Sequence, residues 1–154
     1  MRASLTLDTE IGPLTVTELD GAIAALDWGT QALAPTKTPL LAEASRQVKA
    51  YLAGRLRSFD LPLAPAGSPF QRRVFEATRA IPYGTVMSYG DLARAVDSAP
   101  RAIGGACGAN PLPLPVPCHR VVASDRRLGG YSGHGGLATK RFLLGLEGAL
   151  LDLR

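Results

Sequence analysis

The first 30 residues contain three apolar runs that are separated by turn signals. Asp20-Gly21 has the composition of a tight hairpin turn, and Gly12-Pro13 breaks the pattern between the first two runs. The pattern therefore predicts an antiparallel three-stranded meander. Its strands are expected at residues 3–7, 14–18 and 22–28.

From Leu41 onward the apolar period changes to that of a helix. Gly54 ends this helical pattern, and residues 60–69 have the Pro-rich composition of a linker. The first part of the chain thus predicts a small scaffold of sheet and helix without a candidate catalytic cluster. One face of the helix gathers Leu41, Ala44, Val48, Tyr51 and Leu52.

Three short helices are predicted after the linker. Ser68 followed by Pro69 is typical of a helix start, Ser88 opens a second helix, and Pro100 begins a third. The second and third helices are split by a tight turn, which indicates a helix-turn-helix.

The third of these helices contains Gly104, Gly105 and Gly108. Each interior glycine should cost ~1 kcal/mol relative to alanine, so the backbone is expected to approach another surface closely. That surface is either a neighbouring helix in the core or a DNA groove. The helix lacks the complement of Asn, Gln and Arg side chains that reads base edges, so DNA binding there should show little sequence preference.

A last helix follows a glycine-rich loop over residues 131–136. Glu147 lies at the border of its apolar face, where it is either a solvated edge residue or a buried carboxylate that needs a partner. The apolar face is expected to contain Phe142, Leu143, Leu146 and Leu150.

Composition suits one domain or two small ones: the chain has 154 residues, 46% of them hydrophobic, and no apolar run near the ~20 residues of a membrane span. Two cysteines and no signal-peptide pattern favour a reducing, cytoplasmic setting.

Charge is distributed unevenly along the chain. Residues 1–67 carry six Lys/Arg and seven Asp/Glu, whereas residues 68–154 carry eleven Lys/Arg and six Asp/Glu. An arginine-rich, basic second half is a weak sign of nucleic-acid binding.

Cys118 and His119 follow a stretch in which every second residue is proline. Alternating prolines favour an extended, polyproline-like path, on which adjacent side chains point to opposite faces. A thiolate nucleophile needs a neighbour that lowers the thiol pKa, so a bridging water or a bend at Cys118 would be required for His119 to act. The prolines are Pro111, Pro113, Pro115 and Pro117.

On these two residues alone, other interpretations stay open. A buried thiol beside a surface imidazole is the commoner arrangement. A zinc site is a further alternative, although neither CxxC nor HxxxH spacing is present. Its ligands would be Cys107, Cys118, His119 and His134.

The segment Pro117-Cys118-His119-Arg120-Val121 resembles the active-site signature of the O6-alkylguanine-DNA alkyltransferases (methylated-DNA–protein-cysteine methyltransferases). The resemblance is strong over about residues 68–148 and weaker over the first 65. Further motifs in family order are Ile81-Pro82-Tyr83-Gly84, Ser88-Tyr89-Gly90, Arg101-Ala102-Ile103-Gly104-Gly105, Asn110-Pro111, Gly130-Tyr131-Ser132 and Leu143-Leu144-Gly145-Leu146-Glu147-Gly148.

The resemblance implies an α+β fold with two domains. Residues 1–66 would form a small N-terminal antiparallel sheet plus helix (ribonuclease H-like) that acts as a scaffold. Residues 67–154 would form a mostly helical, winged helix-turn-helix-like domain that binds DNA and carries the alkyl acceptor.

The resemblance also implies roles for individual residues. Cys118 is expected to accept the alkyl group, His119 to take its proton through a water, and Glu147 to orient His119. Asn110 would brace the turn that holds the acceptor segment. Tyr89 would form a hydrogen bond to the guanine ring nitrogen and help the departing base to accept a proton.

Two further sets of residues are implied to contact the substrate, while Arg120 is expected in a structural ion pair. Val121, Ser132 and Tyr131 would line the base pocket. Arg101 would fill the gap left by a flipped nucleotide. The helix in the minor groove would contact DNA through Arg101, Ala102, Gly104 and Gly105.

The implied function is direct reversal of DNA damage. The damaged base, O6-alkylguanine such as O6-methylguanine, is flipped out of double-stranded DNA, and its alkyl group moves irreversibly to Cys118 in one turnover. O4-methylthymine is a further candidate substrate. The implied protein is a cytoplasmic monomer, at the nucleoid in a bacterium, with no cofactor, metal or membrane partner; cooperative DNA binding stays open. Two alternatives remain. One is a non-repairing, alkyltransferase-like lesion-binding protein, and the other is a cysteine hydrolase that uses Cys118, His119 and Glu147.

Overall fold

The computed structural model describes residues 1–29, 36–131, 136–150 and 153. They form two compact units, one of Met1–Ala66 with Pro111–Pro113 and one of Gly67–Asn110 with Leu114–Arg154. Within the described part of the chain, no helix combines the length and apolarity needed to cross a membrane. The elements are β1 (Arg2–Thr9), β2 (Gly12–Leu19), β3 (Ala22–Trp28), α1 (Pro39–Leu52), α2 (Pro69–Arg79), β4 (Met87–Ser88), α3 (Tyr89–Ala95), α4 (Pro100–Gly108), a 3-10 helix (Cys118–Arg120), β5 (Val121–Val122) and α5 (Leu137–Leu146).

The first unit contains an antiparallel sheet in the order β1-β2-β3, which confirms the predicted meander. The first turn differs from the prediction, because Gly12 and Pro13 lie inside β2 and the chain reverses at residues 10–11. The second turn is as predicted. Asp20 and Gly21 have φ values of 49° and 84°, the positive pair that a tight two-residue hairpin turn requires.

Helix α1 packs beside this sheet and is capped at its start by Thr38, whose hydroxyl oxygen accepts a hydrogen bond from the Leu41 N–H at 3.0 Å. Its buried face contains the five predicted residues and, in addition, Gln47. The Gln47 side chain accepts from the Asp60 N–H at 2.9 Å and donates to the Asp60 carbonyl at 3.0 Å, so this buried amide holds the start of the linker.

The second unit is built on α2, α3 and α4, and the helix starts are those predicted. Ser68 and Gln71 form a reciprocal capping box on α2, and the Ser88 hydroxyl accepts from the Asp91 N–H at 3.0 Å to cap α3. Asp97, at φ 57°, lies in the short turn between α3 and α4. The shared core contains Val74, Ile81, Leu92, Ala93, Ile103, Ala106 and Val121.

The predicted extended path before Cys118 is wrong. Leu114 has a φ of 78°, which breaks the path, and Cys118–Arg120 forms a 3-10 helix. A leucine in this strained region persists only where packing compensates for it, and its side chain is buried with 2% exposure. The chain therefore bends at Cys118. Such a bend is one of the two arrangements, the other being a bridging water, by which His119 was expected to act on Cys118.

The predicted apolar face of the last helix is wrong at Phe142 and Leu150, which are exposed, at 36% and 38%. Leu143 is completely buried, as predicted, and so is Leu144. Lys140 is buried on the same helix because its ammonium group donates hydrogen bonds to backbone carbonyls. A polar side chain with hydrogen-bond partners thus takes a core position that the predicted face did not include.

Candidate active site

Cys118 begins the 3-10 helix and is buried, with 8% exposure. Asn110, which follows the end of α4, holds the turn in front of it. The side-chain nitrogen of Asn110 donates to the Val116 carbonyl at 2.9 Å and to Cys118 Sγ at 3.4 Å. A donor on the sulfur stabilises the thiolate over the thiol, so Asn110 positions the group and opposes the larger effects that raise its pKa.

Cys118 opens into a cavity of about 440 Å³. The cavity owes its width to glycines, since a Cβ built at Gly104, Gly108 or Gly130 would meet no atom within 4 Å. The volume is within the ~300–1,000 Å³ range of ligand sites. Its lining residues are Tyr89, Gly104, Cys107, Gly108, Cys118, Gly130 and Tyr131.

The two cysteines of the chain both line this cavity. The Cys107 thiol, together with burial, raises the pKa of Cys118 well above its ordinary value. The Cys118 thiol in turn lowers the pKa of Cys107. The two thiols therefore titrate as a pair, in which Cys118 is protonated at neutral pH.

Behind the cysteine lies a buried cluster of three charged or ionisable side chains. Glu147, completely buried at the C-cap of α5, accepts two hydrogen bonds from Arg120, at 2.8 and 2.9 Å. His119 Nε2 lies 2.8 Å from Glu147 Oε2. Arg120 also donates to the Ile81 carbonyl at 2.8 Å. Of the two alternatives for Glu147, the buried carboxylate with partners is the correct one, and the expected ion pair of Arg120 is present.

His119 is 1% exposed, so the interpretation of a surface imidazole is wrong. Burial lowers the pKa of His119 and outweighs the opposing effect of Glu147, so the ring is neutral at pH 7. A carboxylate can only accept, which assigns the ring proton to Nε2 and leaves the lone pair on Nδ1. The imidazole is therefore in the state that can accept a proton.

Two tyrosines form walls of the cavity, and both are neutral donors. Burial raises the pKa of Tyr89 to about 12 and raises that of Tyr131 further. Tyr89 donates to the Gly130 carbonyl at 3.4 Å. Gly129 has a φ of 70°, and a Cβ built on it would lie 3.1 Å from Cε2 of the Tyr89 ring, so the close approach of the ring requires a glycine there. The Tyr131 hydroxyl is buried without a hydrogen-bond partner in the described part of the chain.

The predictions for Val121, Ser132 (base pocket) and His134 (candidate zinc ligand) have different outcomes. Val121 is buried beneath the site, where its carbonyl accepts a hydrogen bond from Lys140, and it is not among the described lining residues. Ser132 and His134 lie outside the described residues.

Lys140 is a site residue that the sequence analysis missed. Its side chain is completely buried, and Nζ donates to the carbonyls of Val121 at 2.7 Å and Gly130 at 2.9 Å. Burial lowers its pKa to about 8, and its charge lowers the pKa of both Cys107 and Cys118. Next to Arg141 on a partly polar helix, the lysine had the pattern of a solvated residue, and only its carbonyl partners distinguish it.

We expect Lys140→Met to slow the reaction of the cavity thiols with iodoacetamide at pH 7 on the order of tenfold, because a nearby cation that favours the thiolate is lost. The measurement is a pH–rate profile with alkylated peptides assigned by mass. Arg141→Met removes the adjacent, exposed cation of α5 and should leave the profile in place. Superimposable profiles for wild type and Lys140→Met would show that this charge does not act on the thiols.

The exposed side of α4 carries the residues expected to contact DNA. Arg101 projects at the start of the helix, and a Cβ at Gly104, Gly105 or Gly108 would meet open space. The glycines therefore do not serve contact with a neighbouring helix among the described residues. Ala102 is half-buried. A groove of about 420 Å³ runs beside Arg101, lined by Tyr89, Gly90, Pro100, Arg101, Gly104, Ala123 and Ser124.

Both parts of the chain match family models. Residues 69–149 match the 6-O-methylguanine DNA methyltransferase, DNA binding domain, and residues 3–65 match the ribonuclease-like domain of the same name. The constitutive methylated-DNA–protein-cysteine methyltransferase of Bacillus subtilis (strain 168) is 42% identical over 154 residues, which cover 92% of this chain and 93% of that protein. A Methanosarcina acetivorans protein named methylated-DNA–protein-cysteine methyltransferase is 49% identical over 109 residues, 70% of this chain and 69% of its own.

Solved structures show the same likeness. Mycobacterium tuberculosis OGT in complex with DNA has a TM-score of 0.84 and 40% identity, covering 96% of this chain and 93% of that one. Mycobacterium tuberculosis O6-methylguanine methyltransferase has a TM-score of 0.85 and 37% identity, covering 97% and 94%. These likenesses confirm the predicted α+β fold.

Proposed function

Because the chain belongs to the 6-O-methylguanine DNA methyltransferase family, whose activity is DNA repair by alkyl transfer to a protein cysteine, we propose that Cys118 is its acceptor and O6-alkylguanine in double-stranded DNA its substrate. The observation that carries this proposal is the placement of Cys118 Sγ. The sulfur is braced by Asn110 at the edge of a cavity of about 440 Å³. The neutral His119 lies behind it, held by Glu147.

The proposed step is an in-line substitution at the alkyl carbon. The S–C bond forms as the C–O6 bond breaks, and the bonding electron pair leaves with the guanine. The proton of Cys118 passes through a water to His119, and Glu147 balances the positive charge that forms there. Tyr89 donates to the guanine ring nitrogen and helps the departing base to take up a proton.

The product on the protein is a thioether, and each molecule acts once. A thioether has no bond that water cleaves under physiological conditions. The second cavity thiol, Cys107, does not restore a free Cys118 by displacing the alkyl group. The stored group therefore stays on Cys118. Stoichiometric consumption separates this function from that of a cysteine hydrolase, which would turn over an ester repeatedly.

DNA binding is assigned to α4, which we place in the minor groove. Its open glycines let the backbone approach the duplex, and Arg101 takes the place of the nucleotide that rotates into the cavity. Ala102, Gly104 and Gly105 lie along the same contact. The basic second half of the chain supplies phosphate contacts that are independent of sequence and weaken with salt. Residues 1–66 serve as the scaffold, residues 67–154 bind DNA, and the protein acts as a monomer without a cofactor.

We expect Arg101→Ala to slow transfer from duplex DNA about ten- to hundredfold and to affect single-stranded DNA much less, because filling the gap offsets an unstacking cost of a few kcal/mol that only the duplex imposes. The measurement is the single-turnover rate on both forms of one oligonucleotide. Arg46→Ala, on α1 of the first unit, removes an exposed arginine outside the proposed contact and serves as the control. Equal slowing on both forms of DNA would contradict the assignment of Arg101.

A further inference from the structure

Cys107 is the cavity residue that the proposed transfer does not use. It lies in the last turn of α4, is half-buried, and is free, as is Cys118. The chain has two cysteines in 154 residues, and both line the same cavity. Two thiols on separate elements that share a cavity and alter each other's pKa form a dithiol, whose chemistry differs from that of either thiol alone.

We propose that Cys107 and Cys118 form a peroxide-responsive dithiol, in which a hydroperoxide oxidises the pair to an intramolecular disulfide that reversibly withdraws the sulfur of Cys118. Disulfide formation stands on the geometry of the cavity alone. Its consequence for repair rests on the proposed function of Cys118 as alkyl acceptor.

The position of each thiol determines the order of events. Cys107 is the more exposed of the two thiols, and the positive charge of Lys140 lowers its pKa. These conditions favour the thiolate at Cys107, which is the form that attacks peroxides. The buried, protonated Cys118 is then the resolving thiol.

The atoms balance in two steps. The Cys107 thiolate attacks one oxygen of the hydroperoxide, the O–O bond breaks, and the leaving alkoxide or hydroxide takes a proton; Cys107 becomes a sulfenic acid. Cys118 sulfur attacks that sulfur, the S–O bond breaks, and the hydroxyl leaves as water with the proton of Cys118. Two thiols and one hydroperoxide thus give a disulfide, water and an alcohol or second water.

The surrounding backbone permits the approach. Gly108 follows Cys107 directly, and a Cβ at Gly104 or Gly108 would meet open space, so the end of α4 has room to adjust. Cys118 begins a 3-10 helix of only three residues. Because both sulfurs border the same cavity, no described side chain has to leave it for them to approach the ~2.05 Å of a disulfide.

The benefit follows from single use. An acceptor sulfur that is oxidised to the sulfinic acid is lost permanently, and the molecule can then repair nothing. A disulfide with Cys107 stops oxidation at a level that thiol reductants reverse. The cavity would thus store its acceptor in protected form during peroxide exposure.

The experiment treats the full-length protein with hydrogen peroxide and measures intact and peptide masses before and after dithiothreitol. The wild type is expected to lose two hydrogens, to give a linked peptide of Cys107 and Cys118, and to regain alkyl acceptance after reduction. Cys107→Ser and Cys107→Ala, each compared with its own untreated form, are expected to gain oxygens at Cys118 and to lose alkyl acceptance irreversibly. Wild-type protein already alkylated at Cys118 should form no linked peptide.

Two results would overturn the proposal: oxygen addition to wild-type Cys118 without a linked peptide, or equal recovery of wild type and both variants after reduction. The linked peptide is read without DNA, so the two proposals fail separately. If the disulfide forms but the protein never accepts an alkyl group, the proposed function is wrong and the dithiol proposal stands. If the protein accepts an alkyl group but forms no disulfide, only the dithiol proposal is wrong.

Discussion

Replacing Cys118 with alanine is expected to abolish removal of the alkyl group from duplex DNA while DNA binding persists. The sulfur braced by Asn110 supplies the electron pair for the substitution, whereas the proposed DNA contacts come from α4. Among the described contacts Asn110 braces the sulfur of Cys118 and not that of Cys107, so transfer should fall below detection even though the second cavity thiol remains. The measurement is the fraction of O6-methylguanine left in an oligonucleotide after incubation with excess protein, with DNA affinity measured by mobility shift.

Cys107→Ala provides the matched control, because it removes the second thiol of the same cavity. This variant is expected still to carry the alkyl group on Cys118. Repair by Cys118→Ala, with the alkyl group found on Cys107, would move the acceptor to α4 and contradict the assignment.

Glu147→Gln is expected to lower the free energy of unfolding by about 3–5 kcal/mol, the usual cost of removing one partner of a buried ion pair. The Arg120 side chain is 8% exposed and donates two hydrogen bonds to this carboxylate, so it would retain a buried charge without a counter-ion. Transfer should also slow in protein that remains folded, because the carboxylate no longer balances the charge on His119. Urea unfolding at pH 7 and single-turnover rates at low temperature measure the two effects.

Glu76→Gln is the control for this prediction. Glu76 pairs with Arg79 on the surface of α2, at 3.1 Å, and is 73% exposed. Its loss should change the free energy of unfolding by no more than about 1 kcal/mol. Equal losses from the two substitutions would mean that the buried position of the Glu147 pair has no special energetic weight.

Local signals explain which parts of the fold could be predicted. The Asp20-Gly21 turn, the capping serines Ser68 and Ser88, and strand alternation all act within a few residues, and the structure follows them. The apolar face of α5 could not be predicted in the same way. Lys140 is buried because its ammonium group donates hydrogen bonds to the carbonyls of Val121 and Gly130, which lie 19 and 10 residues away along the chain.

The site shows the same division. Adjacency on an extended path argued against a direct contact between Cys118 and His119, but the extended path itself failed, because Leu114 has a positive φ and a buried side chain. Resemblance pointed to residues within family motifs. Cys107 and Lys140 belong to none of the quoted motifs, and each acquires significance only from what the fold places beside it.

The most direct test of the account is the mass of the wild-type protein after incubation with duplex DNA that carries one O6-methylguanine. We expect one added methyl group per molecule, on the peptide that contains Cys118, and no further consumption of lesion once every molecule is modified. An unchanged mass together with tight binding to the lesion duplex would instead indicate a lesion-binding protein that does not repair, and would contradict the assignment of Cys118 as acceptor.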